Sequence, residues 1–109
     1  MQTILIVEDE KRVADLLKAG LEENGYQTMV AYDGAMGLRL FQTYSFHLVI
    51  SDIILPKMDG FELCKEIRKQ NEKIPFVMSN EYYSQNGWSK NRVSIEVLGI
   101  MSGTRMAKV

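Results

Sequence analysis

The chain has 109 residues, of which 46% are hydrophobic and 25% are charged, and its formal net charge is −1. This length and composition predict one globular domain with a single core. The near-neutral charge provides no overall field to attract nucleic acid, and no apolar run approaches the roughly 20 residues of a membrane span. The single cysteine excludes an internal disulfide, and the first residues carry no basic, apolar leader. We therefore expect a cytoplasmic protein with no membrane partner and no direct contact with nucleic acid.

Short apolar, β-branched runs alternate with amphipathic segments through residue 78. Such alternation predicts βαβ units, that is, an α/β doubly wound parallel sheet with helices on both faces. In chain order, we predict strand 3–7, helix 10–24 closed by Gly25, strand 26–31, a helix capped by Asp33 and ending near Tyr44, strand 47–50, a helix opened by Gly60, and strand 75–78.

The pattern changes abruptly after Met78. Residues 80–88 are polar and aromatic without a clear period, and residues 102–109 resemble a loose, slightly basic terminus. Only a strand somewhere within 92–100 is predicted in this part. We therefore divide the domain into a core, residues 1–79, and an atypical C-terminal segment, residues 80–109.

Three acidic residues follow two of the apolar runs. Glu8 and Asp9 come directly after the first predicted strand, and Asp52 comes shortly after the third. Ligands of parallel α/β sheets bind beyond the carboxyl ends of the strands, so we expect the three carboxylates to converge there. At about 4 Å and an effective dielectric near 20, each pair of like charges costs roughly 4 kcal/mol, which a hard cation such as Mg²⁺ would relieve. The alternative is structural: Asp9 could be the N-cap of the following helix.

Residues 4–10 (ILIVEDE) and 51–60 (SDIILPKMDG) together closely resemble the receiver domain of two-component response regulators. The resemblance covers residues 2–78. It rests on an acidic pair ending strand 1, an Asp ending strand 3, and Pro56 and Gly60 placed four and eight residues later. It implies the flavodoxin-like strand order 2-1-3-4-5.

The resemblance also implies a function and a site. Asp52 would be the phosphoacceptor, taking a phosphoryl group from a sensor histidine kinase or a phosphotransfer protein. Mg²⁺ would be held by Glu8, Asp9, Asp52 and the backbone carbonyl of Ile54. Phosphorylation would switch a surface that binds a downstream output protein, or a DNA-binding domain missing from this chain. Asp59 is predicted to be a turn residue, and His47 and Cys64 are predicted to be structural.

Two family features are not found at their usual places. The Thr or Ser that ends strand 4 corresponds by count to Asn80, with Ser79 one place early, so either could act on the phosphoryl group through a hydroxyl or an amide. The Lys-Pro pair of strand 5 has no counterpart, because the only prolines are Pro56 and Pro75. A shift of reading frame near Ser79 would explain both departures. We expect residues 80–109 to be either out of frame or poorly ordered, which would favour self-association through an uncovered sheet edge.

Two other functions compete with a phosphorylated receiver. One is a degenerate receiver that binds proteins without being phosphorylated. The other is a phosphohydrolase with an aspartyl nucleophile, which needs a second acid two residues after the nucleophile; that position is Ile54. We therefore predict that the chain is not an enzyme beyond self-phosphorylation and slow self-dephosphorylation.

Overall fold

The computed structural model of the protein describes residues 2–79, apart from the side chain of Ser79. Four strands and three helices alternate along this part of the chain, as the hydrophobic pattern predicts. In chain order they are β1 (Thr3–Val7), α1 (Lys11–Glu23), β2 (Gln27–Ala31), α2 (Gly34–Thr43), β3 (Leu48–Asp52), α3 (Gly60–Gln70) and β4 (Phe76–Ser79). None of these helices is long and apolar enough to cross a lipid bilayer.

The four strands form one parallel sheet in the order β2-β1-β3-β4. This confirms the predicted α/β class and the first four places of the predicted strand order. The fifth strand, expected within 92–100, lies outside the described residues.

The core has two layers, one on each side of the sheet. On one side Ile4 and Ile6 of β1 pack with Leu17 and Leu21 of α1. On the other side the alternate β1 residues, Leu5 and Val7, belong to a cluster that includes residues of α2 and α3. Because β1 is buried on both faces, its sequence is a continuous apolar run and does not alternate with polar residues.

Side-chain caps begin two of the helices. The Asp33 carboxylate accepts a hydrogen bond from the Met36 amide at 2.7 Å, which confirms its predicted role as the cap of α2. Asp59 begins α3 with a reciprocal capping box, in which its side chain and that of Glu62 each accept from the other's backbone amide. Asp59, expected to be a turn residue, is therefore a helix cap.

A strained turn lies between β3 and α3. Lys57 has a φ of 72°, the only positive φ at a non-glycine residue in the described part of the chain. The Met58 amide donates to the Pro56 carbonyl at 2.8 Å, which closes a three-residue γ-turn around Lys57. The Lys57 ammonium lies 3.7 Å from the Asp33 carboxylate, so this turn is tied to the start of α2.

We expect Lys57→Gly to be more stable than Lys57→Ala by about 1 kcal/mol, because only glycine adopts a positive φ without steric cost. Both variants lose the same ion pair, so the comparison isolates the backbone. At an ordinary negative φ the order of the two variants would be reversed, because glycine then loses more conformational entropy on folding than alanine and lowers the stability of the protein. Urea unfolding of the two variants measures the difference, and an alanine variant as stable as the glycine variant would contradict the turn.

Candidate functional site

The structure brings Glu8, Asp9 and Asp52 together at the carboxyl end of the sheet. β1 and β3 are parallel neighbours, and their register pairs Val7 with Ser51, so the residues that follow in each strand emerge side by side. One carboxylate oxygen from each of the three acids lies within 4.8 Å of the other two. The predicted convergence is therefore present in the described part of the chain.

Backbone hydrogen bonds hold Glu8 in a buried position. Its amide donates to the Ala31 carbonyl at 2.9 Å, and its carboxylate accepts from the Glu10 amide at 3.0 Å. Only 5% of Glu8 is exposed, whereas Asp9 is exposed. The N-cap of α1 is Glu10 and not Asp9, and the Glu10 side chain makes no capping hydrogen bond. The structural alternative for the acidic pair thus has no support here.

Burial and like charge both disfavour ionisation of this cluster. Desolvation is the main cause that raises the pKa of Glu8 to about 8. The hydrogen bond from the Glu10 amide lowers this pKa, whereas the charges of Asp52 and Asp9 raise it further. Desolvation also raises the pKa of Asp52, although the backbone amides of Ile53 and Ile54 act in the opposite direction. A divalent cation would reverse this balance, because it favours all three carboxylates in their charged form.

One oxygen of the cluster has no partner. Asp52 Oδ1 is the only buried side-chain polar atom within the described residues that makes no hydrogen bond. Such an atom costs free energy unless a ligand satisfies it. The donor set here consists of carboxylate oxygens, which Mg²⁺ prefers, and it leaves room for other oxygen ligands. The residues present therefore fit a small divalent cation.

The segment after Asp52 packs closely against the start of α3. The Gly60 amide donates to the Ile53 carbonyl at 2.8 Å. A Cβ atom on Gly60 would overlap the Asp52 carbonyl oxygen and lie 2.9 Å from Ile53 Cα, so only glycine fits. The Ile54 side chain is 65% exposed at the rim of this segment. Gly60 thus sets the distance between the helix and the acidic cluster.

The two alternatives at the end of β4 have different outcomes. Ser79 is the register partner of Asp52 across β3 and β4, which places its backbone beside the acidic cluster. Asn80 lies outside the described residues.

The other residues singled out in the sequence have structural contacts. His47 accepts a hydrogen bond from the Thr3 amide at 3.0 Å through Nδ1, far from the acids in the fold, where β1 and β3 begin. Cys64 packs against the core cluster that contains Leu63. Asp59 caps α3 and is not part of the acidic group.

Three features of the site could not be read from the sequence. They are the left-handed backbone of Lys57, the close contact at Gly60, and a hydrogen bond from the buried Ser51 hydroxyl to the Asp52 carbonyl at 2.9 Å. Of these, only Gly60 was marked in the sequence, as the residue that opens the third predicted helix and as part of the resemblance.

Comparisons with known proteins agree with this geometry. The family model described as the response regulator receiver domain matches residues 4–92. The chain is 40% identical over 75 residues to the alkaline phosphatase synthesis transcriptional regulatory protein PhoP of Bacillus subtilis. The matched region is 69% of this chain and 31% of that protein. The chain is also 40% identical over 75 residues to a probable transcriptional regulator, ycf27, of Cyanidium caldarium. The chain therefore spans about three tenths of the length of these curated relatives.

Solved structures show the same relationship. The receiver domain of Francisella response regulator 1452 superposes with a TM-score of 0.80 at 26% identity, covering 96% of this chain and all of that one. The response regulator protein TrrA of Thermotoga maritima, in complex with Mg(2+)-BeF, has a TM-score of 0.72 at 32% identity, covering 86% of this chain and 82% of that one. With the parallel sheet, the acidic cluster and the family match in agreement, the chain belongs to the response regulator receiver domain family, whose members act in two-component signalling and are not catalytic enzymes.

Proposed function

We propose that this chain is a phosphoacceptor receiver, in which Asp52 takes a phosphoryl group from a phosphohistidine on a sensor histidine kinase or a phosphotransfer protein. The observation that carries the proposal is the convergence of Glu8, Asp9 and Asp52, with a buried oxygen of Asp52 left without a hydrogen-bond partner. Family membership supplies the class of phosphodonor.

The proposed metal ligands are the carboxylates of Glu8, Asp9 and Asp52 and the backbone carbonyl of Ile54. The raised pKa of Glu8 supports this assignment, because a cation placed among like-charged carboxylates stabilises their charged form. The complex of the relative TrrA with Mg(2+)-BeF supports magnesium as the ion. When bound, Mg²⁺ would neutralise the carboxylates and the charge on the transferring phosphoryl oxygens.

Further parts of the transfer can be assigned to residues of this chain. An Asp52 carboxylate oxygen attacks phosphorus, the O–P bond forms as the N–P bond of phosphohistidine breaks, and the donor leaves as neutral imidazole when its other ring nitrogen carries a proton. The Ile53 and Ile54 amides near Asp52 favour its charged, nucleophilic form. For the hydroxyl that family members place at the end of strand 4, we propose Ser79 ahead of Asn80, because its backbone pairs with Asp52.

Incubation with Mg²⁺ and acetyl phosphate tests the proposal. We expect intact-mass measurement to show one added phosphoryl group on the wild-type chain and none on Asp52→Asn. Asp59→Asn is the matched control, because asparagine is also a good helix cap and Asp59 is outside the acidic cluster.

The controls separate the alternatives. Labelling of the Asp59→Asn variant at the wild-type level supports Asp52 as the acceptor. A label that persists in Asp52→Asn would contradict the assignment. No label on the wild-type chain, with acetyl phosphate and Mg²⁺ in excess, would favour the degenerate receiver that only binds proteins.

The response to phosphorylation would be carried by a downstream partner. The curated relatives described as transcriptional regulators are about three times longer than the matched region, which supports an output protein or a DNA-binding domain beyond the part matched here. The division into a core of residues 1–79 and an atypical segment of residues 80–109, self-association, and a cytoplasmic location remain predictions from the sequence.

A further inference from the structure

Ser51 is a buried polar residue directly before the proposed phosphoacceptor. It is fully buried, with an exposed fraction of 0%, in a strand whose preceding residues are Leu48, Val49 and Ile50. Its hydroxyl donates to the carbonyl oxygen of Asp52 at 2.9 Å. A buried hydroxyl needs such a partner, and here the partner belongs to the peptide that joins Asp52 to the following loop.

Fixing this carbonyl also fixes the amide on the other side of the same peptide. The peptide unit is planar, and in its trans form the C=O of Asp52 and the N–H of Ile53 point in opposite directions. The described part of the chain contains no cis peptide bond. The Ile53 amide is a group that acts on the Asp52 carboxylate and opposes the effect of burial on its pKa. A rotation of this peptide would therefore move that amide relative to the carboxylate.

A second contact confines the same peptide from the side of α3. Gly60 lies so close to the Asp52 carbonyl that a Cβ atom would overlap the oxygen, and the Gly60 amide donates to the Ile53 carbonyl at 2.8 Å. Gly60 limits the space available to the peptide, whereas Ser51 supplies a directional bond to it. The two contacts together restrict the peptide to one orientation.

We infer that Ser51 is a positioning residue, whose hydroxyl holds the Asp52–Ile53 peptide, and with it the backbone of the phosphoacceptor, in one orientation. This inference rests on the proposed function of Asp52. Ser51 itself does not touch the phosphoryl group or the metal. Its effect should appear in the rate of phosphoryl transfer more than in the binding of Mg²⁺.

The test compares Ser51→Thr with Ser51→Val, because the two side chains have nearly the same shape and only threonine keeps the hydroxyl. At saturating Mg²⁺ and acetyl phosphate, we expect Ser51→Thr to be phosphorylated about fivefold faster than Ser51→Val, the ratio that one hydrogen bond to the site would produce. Because both variants add the same volume to the core, overpacking cancels in the ratio. The dissociation constants for Mg²⁺ should differ by less than this ratio, because the carboxylates of Glu8 and Asp9 do not belong to the Asp52–Ile53 peptide.

Val49→Ala is the control for a general loss of packing. Val49 is fully buried two residues earlier in the same strand, on the same side of the sheet as Ser51. We expect this variant to unfold at a lower urea concentration while its folded fraction is phosphorylated at the wild-type rate. If the folded Val49→Ala variant were also phosphorylated slowly, the slow transfer in Ser51→Val would be explained by a general loss of packing, and the inference would be overturned.

The inference and the proposed function fail in different ways. Equal transfer rates for Ser51→Thr and Ser51→Val, with a phosphorylated wild-type chain, would overturn the role of Ser51 and leave Asp52 as the acceptor. A label retained by Asp52→Asn would overturn the proposed acceptor and the role of Ser51 with it.

Discussion

The affinity for Mg²⁺ is expected to rise about tenfold per unit of pH from about 6 to about 8 and then to level off. The reason is that Glu8, with a pKa of about 8 in the metal-free fold, must lose its proton before its carboxylate can bind the ion. Isothermal titration of Mg²⁺ at several pH values measures the dependence directly.

The stability of the metal-free protein should show the opposite trend. The pKa of Glu8 is raised from 4.5 to about 8, so the folded state binds a proton more tightly than the unfolded state. The stability that the protonated carboxyl contributes is complete below pH about 4.5 and is lost as pH rises through about 8. Added Mg²⁺ should therefore raise the melting temperature most at the alkaline end of this range.

Glu8→Gln tests whether Glu8 causes both effects. The amide cannot ionise, so the variant should bind Mg²⁺ about tenfold or more weakly at pH 8 and show a smaller dependence of affinity on pH. Glu10→Gln is the matched control, because Glu10 is outside the acidic cluster and only its backbone amide contacts Glu8. Equal Mg²⁺ affinity and equal pH dependence in Glu8→Gln and wild type would exclude Glu8 as a ligand.

The parts of this site that the sequence predicts are those that depend on buried strands. β1 is buried on both faces, and its continuous apolar run predicts a strand of a parallel sheet. The change to acidic residues at Glu8 and Asp9 predicts where that strand ends. Because parallel strands end at the same edge, placing Asp52 beside this pair needed no knowledge of side-chain packing. The end of β3 was less clear: it was predicted at Ile50, but β4 extends the pairing to Asp52.

The parts that the sequence does not predict depend on contacts between elements. Nothing in the sequence marks Lys57 for a positive φ, since lysine has no preference for that conformation; the ion pair with Asp33 and the γ-turn are made only in the fold. Glu8 and Asp9 both follow β1, yet Glu8 is buried and Asp9 is exposed, a difference that appears only in the fold. The buried Ser51 gives no local signal of its partner, because that partner is a backbone carbonyl.

Gly60→Ala is expected to reduce stability by about 1–3 kcal/mol and to slow phosphorylation of Asp52 as well. The added methyl group would meet the Asp52 carbonyl oxygen and Ile53 Cα, which are backbone atoms that cannot turn aside as a flexible side chain can. Relief requires α3 to move away from the sheet or the Asp52–Ile53 peptide to rotate. Either movement displaces the loop that follows the phosphoacceptor.

Gly25→Ala provides the contrast that separates strain from damage to the site. Gly25 has a φ of 90° after α1, and a Cβ atom there would meet no atom within 4 Å, so its substitution is costly only through the backbone. We expect it to lower stability by about 1 kcal/mol without changing the rate of acetyl phosphate labelling. If Gly60→Ala behaved in the same way, losing stability but keeping the wild-type rate, the contact between α3 and the Asp52 carbonyl would be a packing constraint with no bearing on phosphoryl transfer.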